Sequence, residues 1–503
     1  MQRKKQCPHL LFADFDTVQL SKRFGLPLHL YSARRIAENF RAFQKVFVRL
    51  GLAAEVCYAA KACGFEEILR LIAQQGGGVD VASEYELKMA LKAGFSPGRI
   101  VIHGNAKSDL YLEQAIRLGS LVVANHHNEC ERIQAEAKRQ RKTAPVLLRL
   151  SGFELKPATA AGIFTSGLWC KFGEAIANLP LLLTYLPRWP HLDLIGFHVH
   201  VGSQISGIEP YRIIVGKLAE LSREYHTIVG KPVQVLNFGG GFPISYVDRR
   251  RWNNLLTILK KQWSINHPPP GQPPSRGRGV VEDRGIGKEG FITWEGMTDG
   301  FRTDPKKRKL TINQWSGERF YTPYPKEQML FRLLAGNIPF QGQEVPLKKV
   351  LNQIGKPKLM VEPGRAIVGD AGITLARVAD VYQVAGRYPL VTLDLGIVNH
   401  GTGLVEPDLY PWTLANDIER KDRRPFKAFV AGRLCFSGDM LSRYLISFPR
   451  KPVRGDVAVI EKTGAYASTF FASQANAFPL PCQLLILSQQ EPVVMKPSGH
   501  RRS

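Results

Sequence analysis

The sequence lacks the features that mark membrane and secreted proteins. No apolar run comes near the roughly 18 residues that a membrane-spanning helix needs, and the basic start, Met1–Lys5, lacks the apolar stretch of a secretory signal. The seven cysteines are scattered and never form a CxxC pair, so neither a disulfide framework nor a metal site of the zinc type is expected. We therefore expect a cytoplasmic protein with no membrane partner and no metal.

Acidic residues are scarce relative to basic ones. The chain has 503 residues, 68 of them Lys or Arg and 43 Asp or Glu, which gives a net charge of +25. The basic residues do not form one dominant block, and no zinc-finger, RNP or basic-zipper pattern is present, so nucleic acid is not an expected partner. A solvated basic surface explains the charge most simply, and an acidic protein partner remains the alternative.

Eight short apolar runs alternate with segments that have apolar residues at helical spacing. Near-continuous apolar runs separated by helices indicate parallel strands that are buried on both faces. Eight such units predict a (β/α)8 TIM barrel. The runs are Glu55–Ala59, Val79–Ala82, Ile100–His103, Leu121–Ala124, Val146–Leu150, Leu194–His198, Val235–Phe238 and Lys358–Val361.

Two further regions flank or interrupt the predicted barrel, which we place at 33–388. Residues 247–325 are basic and rich in Pro and Gly, and they form an insertion after the seventh strand. After 388 the runs become short and are broken by Gly and Pro, as in a C-terminal antiparallel β domain, which we place at 389–503 with a short basic tail. The N-terminal segment, 1–32, is expected to add a strand to that domain.

Polar residues follow most of the eight runs, where the strands of a barrel present catalytic groups. Asn105 and Lys107 follow the third run, and the other candidates are Lys61, Asp80, Arg149, His200, Ser203, Gly239, Gly240, Gly241, Glu362, Gly364 and Arg365. A lysine, a glycine triplet and an arginine together suit pyridoxal phosphate. Glycine amides and Arg365 can bind the phosphate, and Lys61 can form a Schiff base. Glu362 can pair with the pyridine nitrogen, and His200 can stack on the ring.

The chain resembles the fold-type III pyridoxal-phosphate decarboxylases, which include the diaminopimelate, ornithine and arginine decarboxylases. The strings that carry the resemblance are YAAKA (58–62), DVASEYEL (80–87), HGNAKS (103–108), KFG (171–173), FHVHVGSQI (197–205), GGG (239–241), EPGR (362–365), CFSGD (435–439) and GAY (464–466). The resemblance implies an alanine racemase-like barrel with a β domain. It also implies pyridoxal 5'-phosphate as cofactor and an amino acid as the small-molecule substrate.

The resemblance also implies roles for residues outside the barrel. Ser203 and Tyr466 would contact the phosphate. Cys435 would come from the second subunit of a homodimer, as the acid that protonates the substrate carbon, and Asp439 would lie nearby. The residues implied at the substrate are Glu406, Tyr410, Phe436 and Asp439.

The substrate end departs from the diaminopimelate decarboxylases. Those enzymes have Glu after the catalytic Cys, where this chain has Phe436, and an RPxLY string, where this chain has Glu406 in place of the Arg. A different amino acid, or one tethered to an acidic carrier protein, is therefore an alternative substrate, and the 247–325 insertion would be a lid, a docking surface or a loop without a role. A non-catalytic regulatory subunit is a further alternative. A racemase is disfavoured, because alanine racemases have Arg where this chain has Glu362.

Overall fold

The computed structural model describes most of the chain. Its described residues are 8–154, 165–168, 170–253, 301–304, 309–312, 320–384, 388–400, 410–469, 476, 480–488 and 490–495. Among these, no helix combines the length and the apolar character that crossing a membrane requires. Most of the predicted insertion lies outside the described residues.

The first elements precede the barrel. They are β1 (Leu11–Phe12), β2 (Phe15–Asp16), α1 (Thr17–Phe24), β3 (Leu28–Ser32) and α2 (Ala33–Leu50). β1 and β2 form an antiparallel hairpin. The carboxylate of Asp16 accepts from the backbone N–H groups of Val18 and Gln19, which caps the start of α1.

Eight parallel strands close into a barrel, as the sequence predicts. In chain order they are β4 (Ala54–Ala59), β5 (Gly78–Val81), β6 (Ile100–Ile102), β7 (Leu121–Ala124), β8 (Ala144–Ser151), β10 (Leu192–His198), β11 (Val235–Asn237) and β16 (Lys358–Val361). Each strand pairs with the next in this series, and β16 pairs with β4 to complete the ring. A short strand, β9 (Glu174–Ala175), adds to β8.

Helices follow the barrel strands. They are α3 (Glu66–Gln74), α4 (Glu84–Lys92), α5 (Asp109–Leu118), α6 (His127–Arg139), α7 (Leu179–Tyr185), α8 (Glu209–Val229), α9 (Glu327–Ala335), α10 (Leu347–Gln353) and α11 (Arg365–Val368). Serine caps set two of their starts, because the hydroxyls of Ser83 and Ser108 accept the N–H groups of Glu86 and Tyr111. Gly119, with φ +69°, ends α5 in the left-handed conformation.

Apolar side chains from alternate positions of the strands fill part of the barrel interior. The cluster comprises Cys57, Val101, Val123, Leu147, Val235 and Met360, one from each of six strands. These side chains are at most 7% exposed. The barrel is therefore a packed core, and its polar groups lie near the carboxyl ends of the strands.

The second sheet is mainly antiparallel. The strands that follow the barrel are β17 (Gly372–Val384), β18 (Tyr388–Leu393), β19 (Trp412–Leu414), β20 (Phe426–Ala431), β21 (Met440–Phe448), β22 (Val457–Glu461), β23 (Cys482–Ile486) and β24 (Val493–Val494). β3 lies between β17, to which it is antiparallel, and β23, to which it is parallel. The pairing of β18 with β20 is also parallel. Four other strands form two antiparallel pairs. These are β12 (Phe301–Asp304) with β13 (Lys309–Ile312) and β14 (Asn337–Phe340) with β15 (Gln343–Pro346).

The described residues form two compact units. One lies within Met1–Arg34, Ser245–Pro323 and Gly369–Met495, and the other within Arg35–Ile244 and Tyr324–Val368. The boundary between the two units therefore lies near residue 369, about twenty residues before the boundary that the sequence suggests. The reason is β17, whose first five residues are buried and mostly apolar and so resemble the barrel segments before it.

Candidate active site

The Glu362 carboxylate lies in a buried hydrogen-bond cluster just after β16. Its Oε1 accepts from Nε2 of His103 at 2.8 Å and from Nδ2 of Asn237 at 2.6 Å. Its Oε2 lies 3.2 Å from Nε2 of His198. Burial alone would raise the pKa of Glu362, but the two histidines outweigh burial and hold this pKa well below its usual value. The barrel thus contains an ionised carboxylate.

His103 and His198 act as N–H donors to that carboxylate. Burial lowers the pKa of His198 to about 3, so its ring is neutral. The two rings meet edge to face, with centroids 4.7 Å apart. His103, His198 and Glu362 are also residue types that bind metals, and their ligand atoms lie within 4.8 Å of one another. Because hydrogen bonds already join these atoms, the cluster does not require a metal, and the absence of one stays a prediction.

Lys61 and two charged residues lie near Glu362. The Lys61 side chain is exposed on a 3-10 turn, Ala60–Ala62, that directly follows β4. Asp80 is buried in β5, and burial raises its pKa, while His103, Lys61 and Arg149 act in the opposite direction. Burial lowers the pKa of Arg149 to about 10. A lysine amine and an ionised carboxylate therefore share one end of the barrel.

Arg149 is held by an aromatic ring. Its guanidinium lies 4.2 Å from the ring centroid of Phe172, the central residue of the KFG string. The buried Nε of Arg149 has no hydrogen-bond partner among the described residues. A buried cation with an unfilled donor suits an anionic or polar ligand atom.

The glycine triplet is engaged more closely with the protein than the sequence suggests. The Gly239 N–H donates to Oδ1 of Asn237 at 2.9 Å, and the Gly240 N–H donates to Nδ1 of His200 at 3.0 Å. We expected the glycine amides to face a phosphate, but the N–H groups of Gly239 and Gly240 already donate to protein side chains. Gly241, with φ +90°, packs so tightly that a Cβ there would lie 2.6 Å from the carbonyl oxygen of Gly202. The Gly241 N–H is the member of the triplet that remains for a phosphate among the described contacts.

Cationic and hydroxyl groups lie beside this turn. Nη2 of Arg365 donates to Oγ of Ser203 at 3.2 Å, and Ser203 follows the Gly202 carbonyl against which Gly241 packs. A Cβ at Gly364 would lie 2.9 Å from Cβ of Ala62, so the turn that carries Arg365 packs on the turn that carries Lys61. Groups that can bind an anion, Arg365 and Ser203, thus lie in the same group of loops as the Lys61 amine.

These residues fit pyridoxal phosphate. Arg365, Ser203 and the Gly241 N–H would hold the phosphate, and Glu362 would accept a hydrogen bond from the pyridine nitrogen. Lys61 has the exposed amine that the cofactor aldehyde needs. The close approach of backbone at Gly241, where no side chain fits, has the form of a phosphate-binding turn.

Cys435 lies in the other unit, on an exposed loop between β20 and β21. Its N–H donates to Oδ1 of Asn476 at 3.4 Å. Asp439, which the resemblance implies near the substrate, is instead buried and used within the loop. Its Oδ1 accepts the Ile397 N–H at 2.6 Å, and its Oδ2 accepts the Leu434 N–H at 2.7 Å. Both of its oxygens thus bind backbone N–H groups, and a place for Asp439 at the substrate stays a prediction.

The other implied substrate residues differ in their surroundings. Phe436 is 58% exposed. Tyr410 is buried, and its ring packs against Tyr246 and His400 at centroid distances of 5.1 Å, so its ring belongs to the core of this unit. Glu406 lies outside the described residues. Tyr466 has φ +63°, a left-handed conformation that is unusual for an aromatic residue and is often found at functional positions.

Sequence reasoning missed two residues of the site, His103 and Asn237, and it placed His198 at the end of the sixth run without assigning it a role. The signals were present, since His103 opens HGNAKS, His198 is the first histidine of FHVHVGSQI, and Asn237 precedes the glycine triplet by two residues. Each side chain lies at the end of a barrel strand. What the sequence could not supply is that all three meet on one carboxylate.

Comparisons with known proteins show which enzymes the chain is similar to. Residues 33–265 match the family described as pyridoxal-dependent decarboxylase, pyridoxal binding domain. The diaminopimelate decarboxylase of Bacillus methanolicus is 27% identical, with 98% of this chain and 96% of that protein covered. The diaminopimelate decarboxylase of Staphylococcus aureus is also 27% identical, with 96% and 94% covered.

A solved structure supports the fold. The crystal structure of diaminopimelate decarboxylase from M. jannaschii in complex with L-lysine superposes with a TM-score of 0.73 at 21% identity, covering 97% of this chain and 93% of that one. The matched family, the full-length relatives and the barrel site agree on cofactor and reaction class. The chain is thus similar over nearly its whole length to pyridoxal-phosphate-dependent decarboxylases, and it is an amino-acid carboxy-lyase.

Proposed function

We propose that this enzyme decarboxylates an α-amino acid as diaminopimelate decarboxylases do, with Lys61 holding the cofactor and Cys435 supplying a proton. The observation that carries the proposal is the arrangement of the exposed Lys61 amine and the ionised Glu362 carboxylate at one end of the barrel. Oδ1 of Asp80 lies 3.8 Å from Nε2 of His103, and the charges of Lys61 and Glu362 both act on the Asp80 carboxylate. The full-length match to two diaminopimelate decarboxylases supports the choice of reaction.

The chain's residues have distinct tasks in this reaction. Pyridoxal phosphate, when bound, supplies an electron sink for the electron pair left when the bond between the α-carbon and the carboxylate breaks. Lys61 anchors the cofactor through Nζ, and Glu362 keeps a proton on the pyridine nitrogen. Arg365 and Ser203 bind the phosphate. Sγ of Cys435 donates a proton to the α-carbon, which replaces the departing CO2.

We propose that two copies of the chain share their active sites. Cys435 and Phe436 are both exposed on their loop, and Phe436 is a large apolar side chain that water would otherwise surround. A second copy would cover this loop and receive Cys435. Mixing inactive Lys61→Ala and Cys435→Ala chains should then restore about a quarter of the native sites by random pairing in a two-fold dimer. Mixtures that stay inactive, although the subunits exchange, would contradict shared sites.

Phe436 favours a second candidate substrate. An exposed apolar side chain directly after Cys435 offers no charge to the ammonium or carboxylate at the far end of diaminopimelate. An amino acid with an apolar far end, or one tethered to an acidic carrier protein, would suit it better. The net charge of +25 complements such a carrier.

CO2 release by the cofactor-loaded enzyme tests both candidates. The panel is meso-diaminopimelate, lysine, ornithine, arginine and glutamate, with Lys61→Ala as the control. Turnover of meso-diaminopimelate that Lys61→Ala abolishes supports the first candidate. Cofactor uptake without turnover on the panel supports the second, and uptake that Lys61→Ala leaves unchanged contradicts the role of Lys61.

The carrier version has its own test. Deleting residues 255–320, which lie almost wholly outside the described residues, should lower turnover of a carrier-bound amino acid and leave cofactor binding intact. Full turnover of the true substrate after this deletion would eliminate both a lid and a docking role for the segment.

A further inference from the structure

The hydrogen bonds that the described residues make to the Glu362 carboxylate leave one acceptor position open. An ionised carboxylate offers about four lone-pair positions, two on each oxygen. His103 and Asn237 fill those of Oε1, and His198 fills one on Oε2. We propose that His103, His198 and Asn237 are positioning residues that keep Glu362 ionised and aim its remaining Oε2 position at the pyridine nitrogen. This inference rests on the proposed function, since it concerns the same cofactor.

The two histidines are placed to donate hydrogen bonds to Glu362. Both present Nε2 to Glu362, so each ring donates from the nitrogen that faces the carboxylate. Nδ1 of His198 is buried and has no hydrogen-bond partner among the described residues. A second proton on that ring would have no acceptor, so His198 remains a neutral donor. A neutral donor stabilises the ionised carboxylate and leaves its negative charge in place. That negative charge is what favours a proton on the pyridine nitrogen.

Asn237 connects the Glu362 carboxylate to the glycine turn. Its Nδ2 donates to Glu362 while its Oδ1 accepts the Gly239 N–H at 2.9 Å, so these partners fix the orientation of the amide. The Glu362 N–H in turn donates to the carbonyl oxygen of Gly239 at 2.8 Å. The carboxylate that faces the pyridine nitrogen and the turn that faces the phosphate are therefore held at a fixed separation.

Several titratable and charged groups surround the Glu362 carboxylate. The titratable and charged groups that act on Glu362 or on its neighbours are His103, His198, Asp80, Cys57, Arg149, His200 and Lys61. Of these, His103 and His198 are the ones that hydrogen-bond to Glu362. Removing either donor should therefore act on the carboxylate directly.

Matched substitutions separate donation from packing. His103→Leu and His198→Leu remove the N–H, whereas His103→Gln and His198→Gln keep an N–H donor on a side chain of similar reach. We expect each leucine variant to bind pyridoxal phosphate about tenfold more weakly or worse, as loss of a hydrogen bond to a charged group predicts. The pH at which the visible absorption of the bound cofactor changes should also fall. The glutamine variants should restore most of both properties.

Three results would overturn the proposal. They are equal losses in the leucine and glutamine variants, leucine variants that titrate like the unchanged enzyme, and unaltered cofactor affinity. If the leucine variants do not fold, Asn237→Asp provides the test, because a carboxylate facing Glu362 should weaken cofactor binding progressively as the pH rises. The proposed function fails separately, if the unchanged chain shows no cofactor absorption or if Lys61→Ala leaves that absorption unchanged.

Discussion

The Gly240 N–H donates to Nδ1 of His200 at 3.0 Å. This contact fixes the neutral tautomer of His200, with its proton on Nε2. Burial, reinforced by Lys61 and Arg149, lowers the pKa of His200 well below its usual value. The ring is therefore an uncharged surface on which a cofactor ring can stack, and it also satisfies a backbone donor of the glycine turn.

Two substitutions should separate these roles of His200. His200→Phe keeps a ring but leaves the Gly240 N–H unpaired, so it should lower the free energy of unfolding by about 1–3 kcal/mol with a smaller effect on cofactor affinity. His200→Asn keeps an acceptor but removes the ring, so it should weaken cofactor binding and preserve stability. Urea unfolding and titration with pyridoxal phosphate measure the two properties. If both variants lost stability and cofactor affinity to the same extent, the two separate roles of His200 would be refuted.

Gly241 is predicted to be indispensable for cofactor binding, and Gly94 provides a matched control. Both glycines have positive φ, +90° and +96°, but a Cβ at Gly94 would meet nothing within 4 Å, whereas one at Gly241 would lie 2.6 Å from a backbone oxygen. Gly94→Ala should cost about 1–2 kcal/mol of stability and leave cofactor affinity unchanged. Gly241→Ala should cost more stability and also weaken cofactor binding. Equal effects in both variants would show that backbone conformation alone is responsible.

Asp439 is predicted to act on Cys435 through the shape of its loop. Its carboxylate binds the N–H groups of Ile397 and Leu434, and a Cβ at Gly432 would lie 2.2 Å from Oδ2 of Asp439. Asp439→Ala should lower kcat by about tenfold or more, because two backbone amides lose their acceptor and the loop loses its anchor. Cofactor affinity should not change.

Asp439→Asn is the control for that substitution, since it keeps one acceptor oxygen. We expect its kcat to lie between those of the unchanged enzyme and Asp439→Ala. Measuring kcat and cofactor affinity for both variants checks the role. A kcat that is insensitive to Asp439→Ala, or a parallel loss of cofactor affinity, would exclude it.

The sequence predicts the barrel well because each strand is short, apolar and followed by a polar residue. Lys61 and Glu362 are predicted by their place directly after such runs, and Asp80 by its place within one. The hydrogen bonds between strand ends could not be predicted in this way, because they depend on side-chain direction across the barrel. Lys107 illustrates the limit, since it follows the third run like a catalytic group.

Lys107 is in fact buried and structural. Its Nζ donates to Oε2 of Glu129 at 2.9 Å and to the carbonyl oxygens of Gly104 and Val123. A lysine at the end of a strand has the same appearance in sequence whether it faces a ligand or a buried carboxylate. Glu129 lies more than twenty residues away on α6, and its proximity follows only from the fold.

The β unit should lose stability in mild acid because of His29. This ring is buried in β3, with Nδ1 2.8 Å from Oγ1 of Thr374 and Nε2 3.2 Å from the carbonyl oxygen of Asn399. Burial lowers its pKa from 6.5 to about 4, although the Asn399 carbonyl acts in the opposite direction. The unfolded chain therefore binds a proton at a higher pH than the folded chain does. The contribution of His29 is fully present above pH 6.5 and is lost as the pH falls towards 4, by on the order of 3 kcal/mol.

His29→Gln tests this prediction, because glutamine keeps a donor and an acceptor but does not titrate. The variant should be somewhat less stable at neutral pH, and its free energy of unfolding should fall less steeply between pH 6.5 and 4. Some slope should remain, because burial also lowers the pKa of His400 to about 3 in the same unit. Urea unfolding of both proteins over this pH range measures the two slopes. Identical slopes would mean that His29 is protonated equally in the folded and unfolded chains, which its buried contacts with Thr374 and Asn399 argue against.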